Sequence, residues 1–366
     1  MWNKNKISLI SLILLIIILA TPLQSYAQVQ ELDNEYYQEV LDLVQNRYVN
    51  EIPSEGLGDS LDELFNKLDK HSDYFTEEEF AKFNEDLEGN FVGIGAYIRE
   101  ENNYIKVVRP INGSPAEKAG LLPDDIIISV DAKSVKGMSA DQAVDLIKGE
   151  IGTVAKLRVR SKHYTKVISV TRDHVVVDPV QYQVIDDIGY IILERFNNNS
   201  YFKMLDVLEY LEDQNIHKII LDLRDNPGGY LDEVVDIAGK FVPKGPVVHI
   251  KYGENDIETH NSKLEETKYE LVVLVNARSA SASEILAGAI KDTEVGTLVG
   301  VTTYGKGTVQ EVVTLPRGDG IKLTIAEYFS PNMNKIDGIG IIPDIVVENQ
   351  PNEDTQLKTA LELLAD

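Results

Sequence analysis

The spacing of apolar positions changes character twice along the chain. In "NEYYQEVLDLVQNRYV" apolar residues fall at 36, 37, 40, 41, 44 and 48, the stripe of one helical face. "SLDELFNKL" continues in kind. In "FTEEEFAKFNEDL", Thr76 followed by Glu79 makes a capping box that opens a further helix. From Phe91 the period shortens to two. "FVGIGAYIRE", "NYIKVVRPI", "DDIIISVDAKSV" and "VAKLRVRS" alternate as half-buried strands do, with helical pieces at "SPAEKAG" and "SADQAVDLIKG". Near residue 180 strands and helices begin to take turns. "IGYIILERF", "HKIILDLRD" and "YELVVLVNA" read as strands, and the block Ile219-Ile220-Leu221 predicts one buried on both faces. "YFKMLDVLEYLEDQ", "YLDEVVDIAGKFV" and "SEILAGAIKD" read as the intervening helices, so an α/β domain with a mainly parallel core is expected. "GTLVGVTT", "GTVQEVVTL" and "GIKLTIAEYFS" add strands, and "DTQLKTALELLAD" closes the chain as an amphipathic helix.

The first 27 residues follow none of these periods. Lys4 and Lys6 precede about fourteen apolar or hydroxyl residues, and Ser25-Tyr26-Ala27 offers a small-x-small cleavage pattern. The run is short for a span of about 20 residues, so a cleaved export signal is expected rather than a membrane anchor. The absence of cysteine excludes disulfides, thiolate metal sites and a lipid-modified cysteine. The net charge of −25 becomes −27 without residues 1–27. A chain so acidic, with its acids spread along its length, is expected to be repelled by nucleic acid and by anionic lipid.

Three loops could carry chemistry. Gly300, then four residues, then Gly305-Lys306 looks like most of a phosphate-binding loop. Two requirements of such a loop fail. Gly307, not Ser or Thr, follows Lys306, and "TVQEVVTL" reads as a strand rather than a helix. On a strand, Lys306, Thr308 and Gln310 would share one face. A partly desolvated lysine there would lose proton affinity, as catalytic lysines do, and Gln310 could aim it. In "NARSASASEILAGAI" a buried strand turns into a helix across small residues, a place where a nucleophile meets helix-terminal amides. Ser279, Ser281 and Ser283 cannot be ranked there, and Ser281 with Glu284 also reads as a capping box. In "LDLRDNPGG" the glycines can turn backbone N–H groups towards an oxyanion, although N-P-G-G is equally an ordinary turn. The six histidines show no metal-ligand pairing and there is no G-x-S-x-G elbow.

Taken together, "NARSASASEILAGA", "YGKGTVQ", "LDLRDNPGG" and "TIAEYFSPNMNKIDGIGIIPDIVV" resemble the carboxyl-terminal processing proteases, tail-specific serine peptidases of S41 type. "FVGIGAYI" and the stretch from "SPAEKAG" to "GEIGT" resemble that family's PDZ domain. The resemblance implies an α/β fold with a crotonase/ClpP-like catalytic core, an inserted PDZ domain and N-terminal helices. The implied segments are a signal peptide at 1–27, a helical region at 28–90, the PDZ domain at 91–177, the peptidase core at 178–347 and a C-terminal helix at 348–366. It implies Ser281 as nucleophile, Lys306 as general base 25 residues later, and Gln310 as the residue orienting it. The amides of Ala282 and of Gly228 or Gly229 would form the oxyanion hole. Val92, Gly93, Ile94 and Gly95 would capture a substrate carboxylate while a substrate strand extends the sheet. Such a dyad needs no metal and no cofactor, and its rate should fall at low pH as the lysine protonates. The implied protein is exported and acts on proteins or peptides with apolar C-termini. It takes no nucleic acid, and a homodimer and a regulatory protein partner are both compatible with it. The rival expectation is a secreted PDZ scaffold whose peptidase core is inactive or only conditionally active.

Overall fold

Local sequence decides most element boundaries in the computed structural model, which describes residues 33–365 apart from 53–55, 89, 163, 177, 253–255 and 351–352. The expected signal at 1–27 lies outside the described residues. Among these, no helix is long and apolar enough to cross a membrane. Thr76 and Glu79 do form their capping box. The Thr76 N–H and hydroxyl both donate to the Glu79 carboxylate, at 3.0 and 2.7 Å, where the helix Glu77–Glu88 begins.

The chain divides into two units. The first gathers the described residues up to Phe80 with 250–258 and 308–328. A helix over 33–47 and the short helix Leu61–Phe65 supply Val40, Val44, Leu64 and Phe65 to a core shared with Ile321 and Leu323. Those last two belong to Gly320–Phe329, the second strand of a hairpin that begins with Thr308–Thr314. Asp73–Phe75 adds to the hairpin, Tyr74 lying opposite Ile321. The Tyr36 and Tyr74 hydroxyls donate to the two oxygens of Asp319 at 2.5 and 2.8 Å. Burial, then the carboxylate itself, pushes both phenols well above their usual range.

The second unit holds residues 81–249, 259–307 and 329–365. Its first part is a β module. Ala96–Glu101, Tyr104–Pro110, Ile126–Val130, Val154–Arg160 and Thr165–Thr171 form an antiparallel sheet in that order. Along Val154–Arg160 every second residue is buried, so Ala155, Leu157 and Val159 meet Ile105, Val107 and Ile127 in one core. The helix Ala140–Ile147 covers that face and starts on a capping box between Ser139 and Gln142.

Its second part is a six-stranded sheet in the order Val180–Ile185, Ile188–Leu193, Lys218–Asp222, Glu270–Val275, Gly296–Gly300, Ile345–Val346. The first pair is antiparallel and every later pairing is parallel, which meets the expectation of a mainly parallel core. Both faces are covered. Ile220, Val272, Leu274 and Val299 meet Ala360 and Leu364 of the C-terminal helix Thr355–Ala365, and the helices Ser200–Asp213, Leu231–Ala238 and Ala282–Asp292 belong to the same unit. This double burial is why Ile219-Ile220-Leu221 is an unbroken apolar run. The edge strand Val180–Ile185 was not picked out from the sequence; Gln181 and Gln183 interrupt it and only Val180 is fully buried.

Candidate functional site

Lys218–Asp222, Glu270–Val275 and Gly296–Gly300 are neighbours in the sheet and run the same way. Their carboxyl ends therefore deliver three loops to one edge, the place where open α/β sheets build sites. The loops are Asn226–Gly229, Ser279–Ser283 and Thr303–Lys306.

The three serines are differently employed. Ser279 and Ser283 are fully buried. The Ser279 hydroxyl donates to the Leu223 carbonyl at 2.8 Å and accepts the Asn276 N–H at 2.9 Å. The Ser283 hydroxyl donates to the Asn226 carbonyl at 2.9 Å. Both fasten the serine loop to the neighbouring turn. Ser281 is the partly exposed member and sits at φ 57°, ψ −117°, ahead of the helix Ala282–Asp292. A left-handed φ on a side chain with a Cβ costs about 1–2 kcal/mol and is the kind of strain that sites retain.

Asn226 ties the glycine turn in place. It is fully buried, its Nδ2 donates to the Leu193 carbonyl at 2.7 Å, and its Oδ1 accepts the Gly228 N–H at 2.9 Å. Its carbonyl accepts the Ala280 N–H at 3.0 Å. Gly228 has φ 99°, and a Cβ there would lie 2.7 Å from the Ala280 carbonyl oxygen, 2.8 Å from the Ser281 Cβ and 2.9 Å from the Ala282 nitrogen. A Cβ on Gly229 would lie 2.0 Å from the Phe196 carbonyl oxygen, which accepts the Tyr230 N–H. Gly228→Ala is accordingly expected to destabilise the protein by about 2–4 kcal/mol, from the positive φ and the backbone clash together. Chemical denaturation of the two proteins measures this.

Glu284 joins the serine loop to the lysine loop. Its side chain is wholly buried and accepts four hydrogen bonds: Ser281 N–H at 2.9 Å, Lys306 N–H at 2.9 Å, Gly305 N–H at 2.7 Å and the Thr303 hydroxyl at 2.5 Å. Burial pushes its carboxyl above the usual range and these donors pull it back. The Thr303 hydroxyl in turn accepts the Ile341 N–H at 2.7 Å. Sequence reading saw Glu284 only as a helix-capping residue. Its further donors lie 19 to 22 residues away, and no local pattern announces them.

One sequence expectation needs correcting. Lys306 does not share a strand face with Thr308 and Gln310, because the strand begins only at Thr308 and its register shifts between Val309 and Gln310. The physical reason is that the preceding amides are taken by carboxylates. Lys306 N–H goes to Glu284 and Gly307 N–H goes to Asp337 Oδ1 at 3.2 Å. A Cβ on Gly307 would sit 2.2 Å from the Asp337 nitrogen, so only glycine allows that approach. Gln310 lies in the hairpin of the first unit, where its Nε2 donates to the hydroxyls of Thr308 and Thr324 at 2.8 and 3.4 Å.

Sequence reading also passed over Arg224. Its guanidinium donates to both oxygens of Asp222 and both of Asp354, at 2.6 to 3.1 Å, and Tyr190 donates to Asp222 at 2.6 Å. Asp354 precedes the C-terminal helix, so this network fastens that helix to the strand end that leads into the glycine turn. The spacing of Asp222 and Arg224, two residues apart where the strand ends, was the available signal.

The β module carries a separate groove. Val92 and Gly93 pair with His174 and Asp173, and then Ile94 and Gly95 leave the ladder. Gly95 has φ 76°, and its carbonyl accepts the Ser114 hydroxyl at 2.9 Å and the Ile111 N–H at 3.0 Å. Ala96–Glu101 follows as the edge of its sheet. A cavity of about 220 Å³ runs beside this edge, lined among others by Ile94, Ala96, Ile98, Val144, Ile147 and Lys148. Elsewhere in the same unit, Glu194 accepts the Tyr97 hydroxyl at 2.5 Å, Arg109 at 2.9 Å and Gln181 at 2.5 Å, beside a second cavity of about 420 Å³.

Known proteins resemble this chain in sequence and fold. The family model "Peptidase family S41" matches residues 187–347 and the model "PDZ domain" matches residues 106–161. The carboxy-terminal-processing protease of Bartonella bacilliformis is 36% identical over 321 residues, which is 85% of this chain and 74% of that one. A CtpA-like serine protease of Staphylococcus saprophyticus is 37% identical over 87% of this chain. The chain spans 64% of that relative's length and 57% of a similar Staphylococcus aureus protein's. Among solved structures, the photosystem II D1 C-terminal processing protease is 27% identical, with a TM-score of 0.57 over 91% of this chain and 97% of that one. An S41 protease from Bacteroides fragilis has the same fold, with a TM-score of 0.66 at 15% identity over 88% of this chain and 96% of that one.

Proposed function

The chain belongs to peptidase family S41, among the carboxy-terminal-processing proteases with a PDZ domain, and from that premise we propose that it is a serine endopeptidase that cleaves proteins near their C-termini. The observation that carries this reading is Glu284, which holds the backbones of Ser281 and Lys306 on one buried carboxylate. Neutral Lys306 takes the proton of the Ser281 hydroxyl as its oxygen attacks a peptide carbonyl. The developing oxyanion collects on the Ala282 N–H and on an amide of the Gly228–Gly229 turn, of which the Gly228 N–H already serves Asn226. The amine leaves with the proton, and water releases the acyl group from Ser281. Gln310 is assigned the orientation of the lysine.

The PDZ groove is proposed to take the substrate's C-terminus. An extended peptide would add to the free edge of Ala96–Glu101, with its carboxylate on the Val92–Gly95 loop and its last side chain among Ile94, Val144 and Ile147. The segments at 28–90, 91–177, 178–347 and 348–366 are proposed as the functional parts, with 178–347 as the crotonase/ClpP-like core and export directed by residues 1–27. Incubation with unstructured peptides tests the reading. A peptide ending in free apolar residues should be cut, and amidation of its C-terminus should weaken binding about tenfold or more, as expected for loss of a charge-assisted hydrogen bond. Equal binding of acid and amide would sink the role of the loop. Absence of cleavage would favour the inactive scaffold.

A further inference from the structure

Charge is unevenly divided along the chain. Residues 91–176 hold thirteen Lys and Arg against ten Asp and Glu, a net +3, while the rest of the chain carries −28. The excess gathers on the outer face of the PDZ sheet. Val154–Arg160 buries Ala155, Leu157 and Val159, so Lys156, Arg158 and Arg160 all point outward. On the same face Arg160 and Lys136 both approach the Tyr104 ring, at 5.5 and 5.8 Å. None of these four cations has an ion-pair partner among the described residues. The nearby acids are engaged elsewhere. Asp131 holds the Lys156 N–H at 2.9 Å and lies 3.6 Å from Arg172, while Asp124 and Glu101 pair with Lys106. Apolar side chains stand among the cations. Val167, directly opposite Arg158 in the ladder, is 63% exposed, and Tyr164 is 53% exposed.

We propose that this face docks on an anionic lipid surface. A ladder of alternating cations with exposed Val and Tyr between them fits a headgroup layer, where apolar area and electrostatic attraction act together. A second copy of this chain would bring its own charge of −25. The Debye length of about 8–10 Å screens acids elsewhere on the chain, so the local sign of the face decides the encounter. The peptide groove lies at the opposite edge of the sheet, beside Ala96–Glu101, and stays open on docking.

The test is partition of the full chain into vesicles of phosphatidylcholine alone and of phosphatidylcholine with about one-third phosphatidylglycerol. Each Lys or Arg contributes about 1 kcal/mol near such a surface, so four cations favour anionic over neutral vesicles by at least tenfold at low salt. The joint variant Lys156→Gln, Arg158→Gln, Arg160→Gln, which keeps Lys136, should lower that ratio about tenfold or more, with an unchanged melting temperature and unchanged peptide cleavage. Residues 1–27, with Lys4 and Lys6, are the same in both proteins, so their contribution cancels between wild type and variant. A wild-type ratio near one, a ratio that the triple variant keeps, or salt-sensitive self-association in place of vesicle binding would each overturn the proposal.

Discussion

Ser281→Ala is expected to lower the rate of peptide cleavage by about 10⁴-fold or more, the scale on which loss of a nucleophile acts in serine peptidases. The fold should survive. Ala pays the same left-handed penalty as Ser at φ 57°, and the Ser281 N–H still reaches Glu284, so stability should stay within about 1 kcal/mol. Ser279→Ala and Ser283→Ala are the informative controls. Their hydroxyls fasten the loop to Leu223 and Asn226, and removing either loses a buried hydrogen bond, at about 0.5–1.5 kcal/mol, with the Asn276 N–H also losing its acceptor in Ser279→Ala. The three variants should therefore divide. One loses activity with stability intact, and two lose stability with activity partly retained. Steady-state kinetics beside denaturant melts reads both axes.

Lys306→Met should cost about 10²–10⁴-fold in kcat, the range for a removed general base, with a much smaller effect on KM. The substitution keeps the stem length and leaves the backbone alone. The loop's amides are held by carboxylates, Gly305 and Lys306 on Glu284 and Gly307 on Asp337, and these bonds survive the substitution. A large loss of stability in this variant would mean that Lys306 is chiefly structural. Unchanged kcat would remove it from the chemistry.

Much of the fold was legible because burial leaves a period. Alternation along Val154–Arg160 and the unbroken run at Ile219-Ile220-Leu221 each identify a strand and say how many of its faces are covered. The site was legible only as three separate loops. Strand order alone brings them together, and strand order depends on pairings such as Leu221 with Val273 that no local pattern encodes. The ranking of the serines was hidden for the same reason, since it rests on which hydroxyl meets a carbonyl of the neighbouring turn. The reading of Lys306, Thr308 and Gln310 as one strand face failed because alternation describes a ladder, and two carboxylates remove residues 306 and 307 from it. Whole-chain charge hides local sign in a related way, since −25 averages over residues 91–176, which carry +3.

The central claim is that Ser281 is acylated by a substrate peptide. Acid quenching during turnover of an unstructured peptide, followed by proteolysis and mass mapping, tests it most directly. The account predicts a substrate acyl group on the fragment that contains Ser281, missing in Ser281→Ala and much reduced in Lys306→Met. Cleavage that proceeds with the acyl group elsewhere, or undiminished in Ser281→Ala, would contradict it.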